Sequence, residues 1–308
     1  MTGLELSKRY FHEFGEPMME RDFPEMIGKC AFGLSGEGSE CLGYDDGISR
    51  DHDYFTGFQL WITEEDERSF GFRLERAYAR LRKEFPPDGE GAETGSSELG
   101  DAEDGVTLIG DFYRRHLGFP GVPENWRQWL YTPEYAFAEA TNGAVFRDDQ
   151  GDFSRVRAAL LQMPEDVRLK KLAGHLWAAA QAAPYNYERC LARGEQVAAQ
   201  WALFEFADHA LSALFLLERV YRPFYKWAFR ALRDLQHFAK LYGDFELLLT
   251  SPNGEDALPR KNDARARIEC AIAQGCGDET KDLSALAFAV NDRIADHHIR
   301  NLNILYAV

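Results

Sequence analysis

Apolar residues recur at helical spacing along the first part of the chain, from Leu4 to Phe23, with interruptions near residues 15–17 and at Pro24. This pattern predicts two helices ahead of a first strand at residues 29–35. A second apolar run, Phe58 to Ile62, predicts another strand, and Thr63 followed by three acidic residues predicts the start of a helix.

The next segments alternate between polar and apolar character. Residues 86–105 combine proline, glycine, serine and acids, which predicts a flexible acidic insertion on the surface. Residues 106–110 then read as a strand, residues 123–141 as a helix ended by Asn142-Gly143, and residues 144–153 as a short hairpin.

Beyond residue 154 the pattern changes to long helical runs with almost no strand signal. We expect helices at residues 154–162, 164–183, 187–217, 223–242, 263–274 and 278–305. The predicted fold class is therefore α+β: a small mixed-sheet domain over residues 1–153, followed by an all-helical bundle domain over residues 154–308.

One short stretch carries candidate chemistry. Gly38-Ser39 forms a small-residue turn with a hydroxyl, and Asp51 and Asp53 follow just before the second predicted strand. Side chains at i and i+2 on a strand point to the same face, about 7 Å apart along the backbone, so the two carboxylates form a candidate site for divalent metal. Mg²⁺ prefers such oxygen ligands together with phosphates, and the Gly38 backbone and Ser39 hydroxyl suit phosphate oxygens.

Gly38-Ser39 followed at this distance by Asp51-His52-Asp53 resembles the signature of the nucleotidyltransferase superfamily, which includes DNA polymerase beta and kanamycin nucleotidyltransferase. The wider context, with Trp129-Leu130, Pro133-Glu134 and residues 145–149, looks like a bacterial family of uncharacterised nucleotidyltransferase-like proteins of unknown substrate. The resemblance implies a nucleotidyltransferase domain and transfer of a nucleoside monophosphate, as AMP from ATP, to a hydroxyl of a small molecule or protein. It implies two Mg²⁺ ions held by the acidic pair.

The superfamily also uses a third carboxylate on a neighbouring strand. Asp111, at the end of the apolar run 106–110, is the first candidate for this catalytic role, and Asp148 and Asp149 are the alternatives. Related adenylyltransferases bind the nucleotide phosphates with a basic residue of the helical domain. Lys226, near the start of a predicted helix, is a candidate for that role, although pairing with a structural carboxylate explains it equally well.

Composition narrows the partners. The net charge of −16 disfavours a general nucleic-acid binder, which needs clustered Lys and Arg to neutralise phosphates. Five cysteines without metal spacing read as reduced thiols, and neither a signal-peptide core nor a membrane-length apolar run is evident, so we expect a cytoplasmic protein without nucleic-acid or membrane partners. A different function is also open: a nucleotide-binding pseudoenzyme, or an antitoxin-type regulator that acts through a protein partner.

Overall fold

A computed structural model describes residues 1–48, 57–84, 105–278, 280 and 282–308. The α-helices among these residues, numbered in chain order, are α1 (Gly3–Tyr10), α2 (Glu16–Asp22), α3 (Glu64–Asp66), α4 (Phe72–Leu81), α5 (Ile109–Leu117), α6 (Trp126–Tyr131), α7 (Glu134–Thr141), α8 (Asp152–Leu160), α9 (Glu165–Ala180), α10 (Glu188–Ala192), α11 (Gln196–Glu218), α12 (Tyr225–Leu232), α13 (Tyr242–Thr250), α14 (Leu258–Gly275), α15 (Leu283–Asp292) and α16 (His297–Arg300). The strands are β1 (Ala31–Leu34), β2 (Gln59–Ile62), β3 (Val106–Leu108) and β4 (Ala144–Asp148).

The chain divides into two compact units. Unit 1 contains residues 1–123 and 136–162, and unit 2 contains residues 124–135 and 163–308. The predicted division at residue 153 differs from these units in two respects: α8 belongs to unit 1, and a short segment that includes α6 belongs to unit 2.

The four strands form one mixed sheet in the order β3-β2-β1-β4. β1 is antiparallel to both β2 and β4, whereas β2 and β3 are parallel. All strands belong to unit 1, and the elements that the structure describes in unit 2 are helices. The predicted α+β class, with a small mixed sheet and a helical region, is confirmed.

Successive side chains of a strand point to opposite faces of the sheet. Every residue of β1 and β2 is buried, so both faces of these two strands are covered. Phe32, Leu60 and Ile62 pack into a core with apolar residues of α1, α2 and α4. On the other face, Trp61 stacks on Phe153 of α8 with ring centroids 3.9 Å apart. The sheet is therefore a middle layer between helices.

The N-terminal helices match the prediction except at their junction. A π-helical turn, Phe11–Gly15, joins α1 to α2 directly, so the chain stays helical through the predicted interruption. Pro17 is the second residue of α2, so its missing N–H falls where the π-helical turn passes into the α-helix. The Thr63 cap is confirmed, because its Oγ1 accepts a hydrogen bond from the Asp66 backbone at 3.2 Å.

Three local predictions between residues 106 and 153 were wrong. The strand predicted at 106–110 ends at Leu108, and α5 begins at Ile109, since the following apolar residues have helical spacing. Helix 123–141 is broken into α6 and α7 at Thr132-Pro133, where proline cannot donate a helical hydrogen bond. Residues 144–153 do not form a hairpin: β4 pairs with β1, a partner far away in the chain, and α8 follows.

Unit 2 is built around α9, which packs against α11 and α15. The predicted run 187–217 is split into α10 and α11 at Gly194, whose φ of 74° is left-handed. Lys170 of α9 is fully buried, and its ammonium donates to Asn291 Oδ1 and to the backbone oxygens of Arg300 and Leu302 at 2.7–3.2 Å. A buried cation thus fastens the C-terminal segment to α9.

Among the helices of the described residues, none combines the length and the apolar character needed to cross a bilayer.

Candidate functional site at one edge of the sheet

The sequence-predicted turn lies at one edge of the sheet. Because β1 is antiparallel to β2 and β4, its C-terminal end lies beside the N-terminal ends of both neighbours. Ser35, directly after β1, donates its backbone N–H to Oε1 of Gln59, the first residue of β2, at 2.8 Å. We call this region the exit edge and define it as residues 35–43 together with Asn142 and Gly143.

Asn142 fixes the backbone of the exit edge. Its Oδ1 accepts hydrogen bonds from the Gly36 N–H at 2.9 Å and the Ser35 hydroxyl at 3.2 Å, and its Nδ2 donates to the Gly36 carbonyl at 2.7 Å. Gly143 follows with φ of 65°, and a Cβ there would lie 1.8 Å from the Leu34 carbonyl oxygen. The Asn-Gly pair therefore does more than end α7: it attaches the loop after β1 to the start of β4.

Gly38 and Ser39 lie where this loop turns into a single 3₁₀ turn, Ser39–Leu42. Gly38 packs closely against Glu40: a Cβ at Gly38 would lie 2.2 Å from Oε1 of this buried side chain, which would have to shift. The carboxylate of Glu40 thus lies against the residue predicted to approach phosphate. A phosphate group at Gly38 requires this carboxylate to move, since two anions in contact repel.

Asp51 and Asp53, the predicted metal ligands, lie outside the described residues, as does most of the predicted acidic insertion at 86–105. Asp111 lies in the first turn of α5, where its exposed carboxylate pairs with Arg114, and not at a strand end. The helix dipole also favours an acid at that position.

The two alternative acids have structural partners. Asp148, the last residue of β4, accepts hydrogen bonds from the backbone N–H groups of Gly151 and Ser154 at 2.9 and 2.8 Å, which shapes the turn into α8. Asp149 pairs with Arg147, and its Oδ2 lies 2.7 Å from the Arg147 Nη2. The hydrogen bond between Asp149 and Arg147 is the main cause that raises the pKa of the Arg147 guanidinium.

Lys226 belongs to unit 2, whereas Gly38 and Ser39 belong to unit 1. It lies in the first turn of α12 with an exposed side chain, and its Nζ is 5.1 Å from the centre of the Trp227 ring. This is a cation–π contact. The neighbouring Arg222 is paired with Asp208 and donates to Ser212 Oγ at 2.6 Å, so it serves to hold α12 near α11.

A second group of side chains meets at the exit edge. Glu37 of the loop, His116 from the last turn of α5 and Glu139 from α7 each have a potential ligand atom, and these atoms all lie within 4.8 Å of one another. The His116 side chain is 2% exposed, and its Nδ1 lies 3.8 Å from Glu139 Oε2. This is too long for a hydrogen bond, and the buried Nδ1 has no hydrogen-bond partner among the described residues.

No motif in the sequence indicates this group. Glu37 directly precedes Gly38-Ser39, but His116 and Glu139 come from helices distant in the chain and share no motif spacing with it. Only the helical phase of His116, on the same face as Phe112, signals that the histidine is buried.

Unit 2 has a separate pocket of about 400 Å³ whose lining includes Trp201, Glu205 and His209. The His209 Nδ1 lies 3.0 Å from the Nδ1 of His175, so one ring donates the hydrogen bond and the other accepts it. Burial is the main cause that lowers the pKa of both histidines, His175 well below 6.5.

Comparison with known proteins gives a match for one part of the chain. Residues 129–228 match a family described as a domain of unknown function (DUF4037). No curated protein and no solved structure matches the chain. The matched residues run from α6 into α12 and include Glu139, Asn142-Gly143 and Lys226, but not the Gly38-Ser39 turn or the acidic pair.

Proposed function

We propose that this protein is a Mg²⁺-dependent nucleotidyltransferase that moves a nucleoside monophosphate, AMP from ATP, to a hydroxyl group. The observation that carries the proposal is the position of the Gly38-Ser39 turn: it leaves β1 at the edge where β2 begins. Asp51 and Asp53 precede β2 in the chain. A phosphate-binding turn and an acidic pair are thus connected to neighbouring ends of two paired strands.

In the proposed reaction, the acceptor hydroxyl oxygen attacks the α-phosphorus of ATP, the bond from that phosphorus to the bridging oxygen breaks, and pyrophosphate leaves. Asp51 and Asp53 would hold Mg²⁺, which would supply positive charge to offset the negative charge of the reacting phosphate. Ser39 and the Gly38 backbone bind the outgoing phosphates after the Glu40 carboxylate moves away.

The acceptor proton needs a base. Asp111 is the first candidate because its carboxylate is exposed. Among the described residues it forms an ion pair with Arg114, and breaking this surface ion pair costs little free energy. Asp148 is a weaker candidate because it holds two backbone N–H groups of the turn into α8. Asp149 pairs with Arg147 and is the second choice.

Calorimetric titration of ATP with Mg²⁺ tests the site directly. We expect the parent to bind and the Asp51→Asn/Asp53→Asn variant to lose binding or to bind at least tenfold more weakly, because the metal can no longer bridge protein and phosphates. Glu64→Gln/Glu65→Gln is the matched control: it removes the same charge from an exposed acidic pair in α3 and should leave affinity unchanged.

Equal ATP affinity in the parent and in the Asp51→Asn/Asp53→Asn variant would reject the metal–nucleotide site. If binding does depend on the acidic pair, Asp111→Asn separates binding from chemistry: it should keep ATP affinity and lower the rate of AMP transfer in an acceptor screen.

A second candidate function rests on a different observation. Tyr135, Phe224 and Tyr225 of unit 2 are exposed, and their rings form one cluster with centroids 4.5–5.7 Å apart. Exposed aromatic clusters are typical of protein interfaces. A regulator without transfer activity, acting through a protein partner at this cluster, would retain its partner in pull-downs from the native host when Asp51 and Asp53 are changed and lose it in Phe224→Ser/Tyr225→Ser.

A further inference from the structure

We infer that Glu37, His116 and Glu139 form a binding site for a divalent transition metal of the Zn²⁺ type, separate from the proposed Mg²⁺ pair and independent of nucleotide binding. Three elements that are distant in the chain bring these side chains together: the loop after β1, the end of α5, and α7. The potential ligand atoms lie within 4.8 Å of one another.

The buried histidine points to a ligand. Buried side-chain nitrogens almost always have a hydrogen-bond partner, because an unpaired polar atom has lost its water without compensation. His116 is 2% exposed, yet its Nδ1 has no partner within hydrogen-bond distance among the described residues and faces Glu139 Oε2 at 3.8 Å. A metal ion between the two would satisfy the nitrogen and the carboxylate together.

The negative charges of Glu37 and Glu139 also favour a cation at this position. Glu139 is 17% exposed, and within the described part of the chain neither Glu139 nor Glu37 forms an ion pair with a lysine or an arginine. Two carboxylates near one another in a partly buried position repel, and a divalent cation removes this cost. The site then contributes two negative charges to one doubly positive ion.

The donor set selects the class of metal. Mg²⁺ takes oxygen ligands in a nearly ideal octahedron, whereas an imidazole nitrogen with two carboxylates suits Zn²⁺, Co²⁺ and related ions. Ligands about 2 Å from a tetrahedral Zn²⁺ are about 3.3 Å apart, so the three atoms need a small approach. Glu37 can supply it, because its side chain is exposed and not packed in the core.

The proposed metal site lies next to the candidate phosphate-binding turn. Glu37 precedes Gly38 directly, so a bound ion links the exit edge to α5 and α7. Three protein ligands leave a fourth position open, as in zinc sites that accept water or substrate. The proposed site therefore predicts metal binding that can be measured with or without ATP.

The test is titration of Zn²⁺, and separately Co²⁺, into the metal-free full chain. We expect one equivalent to bind to the parent and to Asp51→Asn/Asp53→Asn alike. His116→Gln should weaken Zn²⁺ binding by more than the roughly 10- to 100-fold that loss of a second-shell partner causes. Glu37→Gln, at an exposed position that does not endanger folding, should weaken it at least tenfold.

His12→Gln is the matched control. His12 Nδ1 also lies near a glutamate, 3.1 Å from Glu16 Oε2, but that pair lies on the surface where the π-helical turn joins α2, and it does not belong to the group around His116. Its loss should leave Zn²⁺ affinity unchanged. The Co²⁺ complex should show visible bands without sulfur-to-cobalt charge transfer, since the proposed ligands contain no thiolate.

Four results would overturn the inference: no Zn²⁺ binding by the parent, unchanged affinity in both His116→Gln and Glu37→Gln, loss of binding in Asp51→Asn/Asp53→Asn with retention in His116→Gln, or a thiolate charge-transfer band. Failure of the nucleotidyltransferase proposal looks different. It appears as absent ATP binding while Zn²⁺ still binds in a manner that depends on His116.

Discussion

Two buried lysines of unit 2 and a buried histidine of unit 1 differ in their hydrogen bonding. In unit 2, Lys170 and Lys261 are fully buried, and each ammonium donates to three oxygens within 3.2 Å. In unit 1, the buried Nδ1 of His116 lies beside a carboxylate and has no hydrogen-bond partner among the described residues. The satisfied lysines have a structural role, whereas the unsatisfied nitrogen of His116 is an observation on which the proposed metal site rests.

The buried lysines and the exit edge also differ in what holds the surrounding structure in place. The lysines fasten helices whose positions are set by apolar packing, and burial lowers the pKa of Lys261 to about 8 without removing its hydrogen bonds. The exit edge is held by Asn142, which leaves the carboxylates of Glu37 and Glu139 available. Four predictions test the comparison.

The largest effect is expected for Lys170→Ala. It leaves the Asn291 amide oxygen and two backbone carbonyls without their donor and opens a cavity, so the free energy of unfolding should fall by about 3 kcal/mol. Urea denaturation measures it. Lys240→Ala, at an exposed position, should change it by less than about 0.5 kcal/mol. Equal effects in the two variants would show that the buried ammonium is not a structural fastening.

Acidification should destabilise unit 2 through its histidine pair. Burial, with the nearby charges of Lys171 and Arg222, holds the pKa of His175 well below 6.5. Below pH 6.5 the unfolded chain therefore binds a proton that the folded chain does not, and the stability present above pH 6.5 is lost as the pH falls. Each such proton lowers the free energy of unfolding by about 1.4 kcal/mol per pH unit.

Denaturation curves between pH 7 and 5 check this effect. The parent should lose stability over that range through His175, and His175→Gln/His209→Gln should show a flatter dependence even if its stability at pH 7 is lower. The same slope in the parent and in the double variant would mean that other groups titrate instead.

A smaller loss is expected for Asn142→Ala. The variant removes the side-chain hydrogen bonds to Ser35 and Gly36 but leaves the helices in place, so we expect about 1.5 kcal/mol. Thermal denaturation with Asn301→Ala, an exposed position, as control measures it. If the loop is held mainly by the sheet, both variants will melt at the parental temperature.

The smallest change is expected for His116→Phe in metal-free buffer. Phenylalanine keeps the contact with Phe112, whose ring centre lies 4.8 Å from that of His116, and removes an unpaired buried nitrogen. The free energy of unfolding should change by less than about 0.5 kcal/mol. Zn²⁺ should then stabilise the parent but not the variant. That result would distinguish the role of His116 from the structural role of Lys170. A loss near that of Lys170→Ala would contradict it.

The periodic spacing of apolar residues along the chain predicted much of the fold. The spacing of apolar residues located α1, α2, β1, β2 and the helical second half, because period 2 and period 3.6 arise within a few residues. It failed where the partner is remote. Residues 144–148 form a strand by pairing with β1, and no local pattern contains that partner. Residues 109–111 follow the helical spacing of the segment after them.

By itself, the sequence determined the class of the fold, the turn chemistry of Gly38-Ser39 and the order in which candidate phosphate and metal ligands occur, since these depend on neighbours in the chain. Tertiary structure alone decided what meets at the exit edge: the Glu40 carboxylate against Gly38, and Glu37 with His116 and Glu139. The physical reason is that a ligand cluster is a matter of distance in space, and distances between residues far apart in sequence are set by sheet pairing and helix packing.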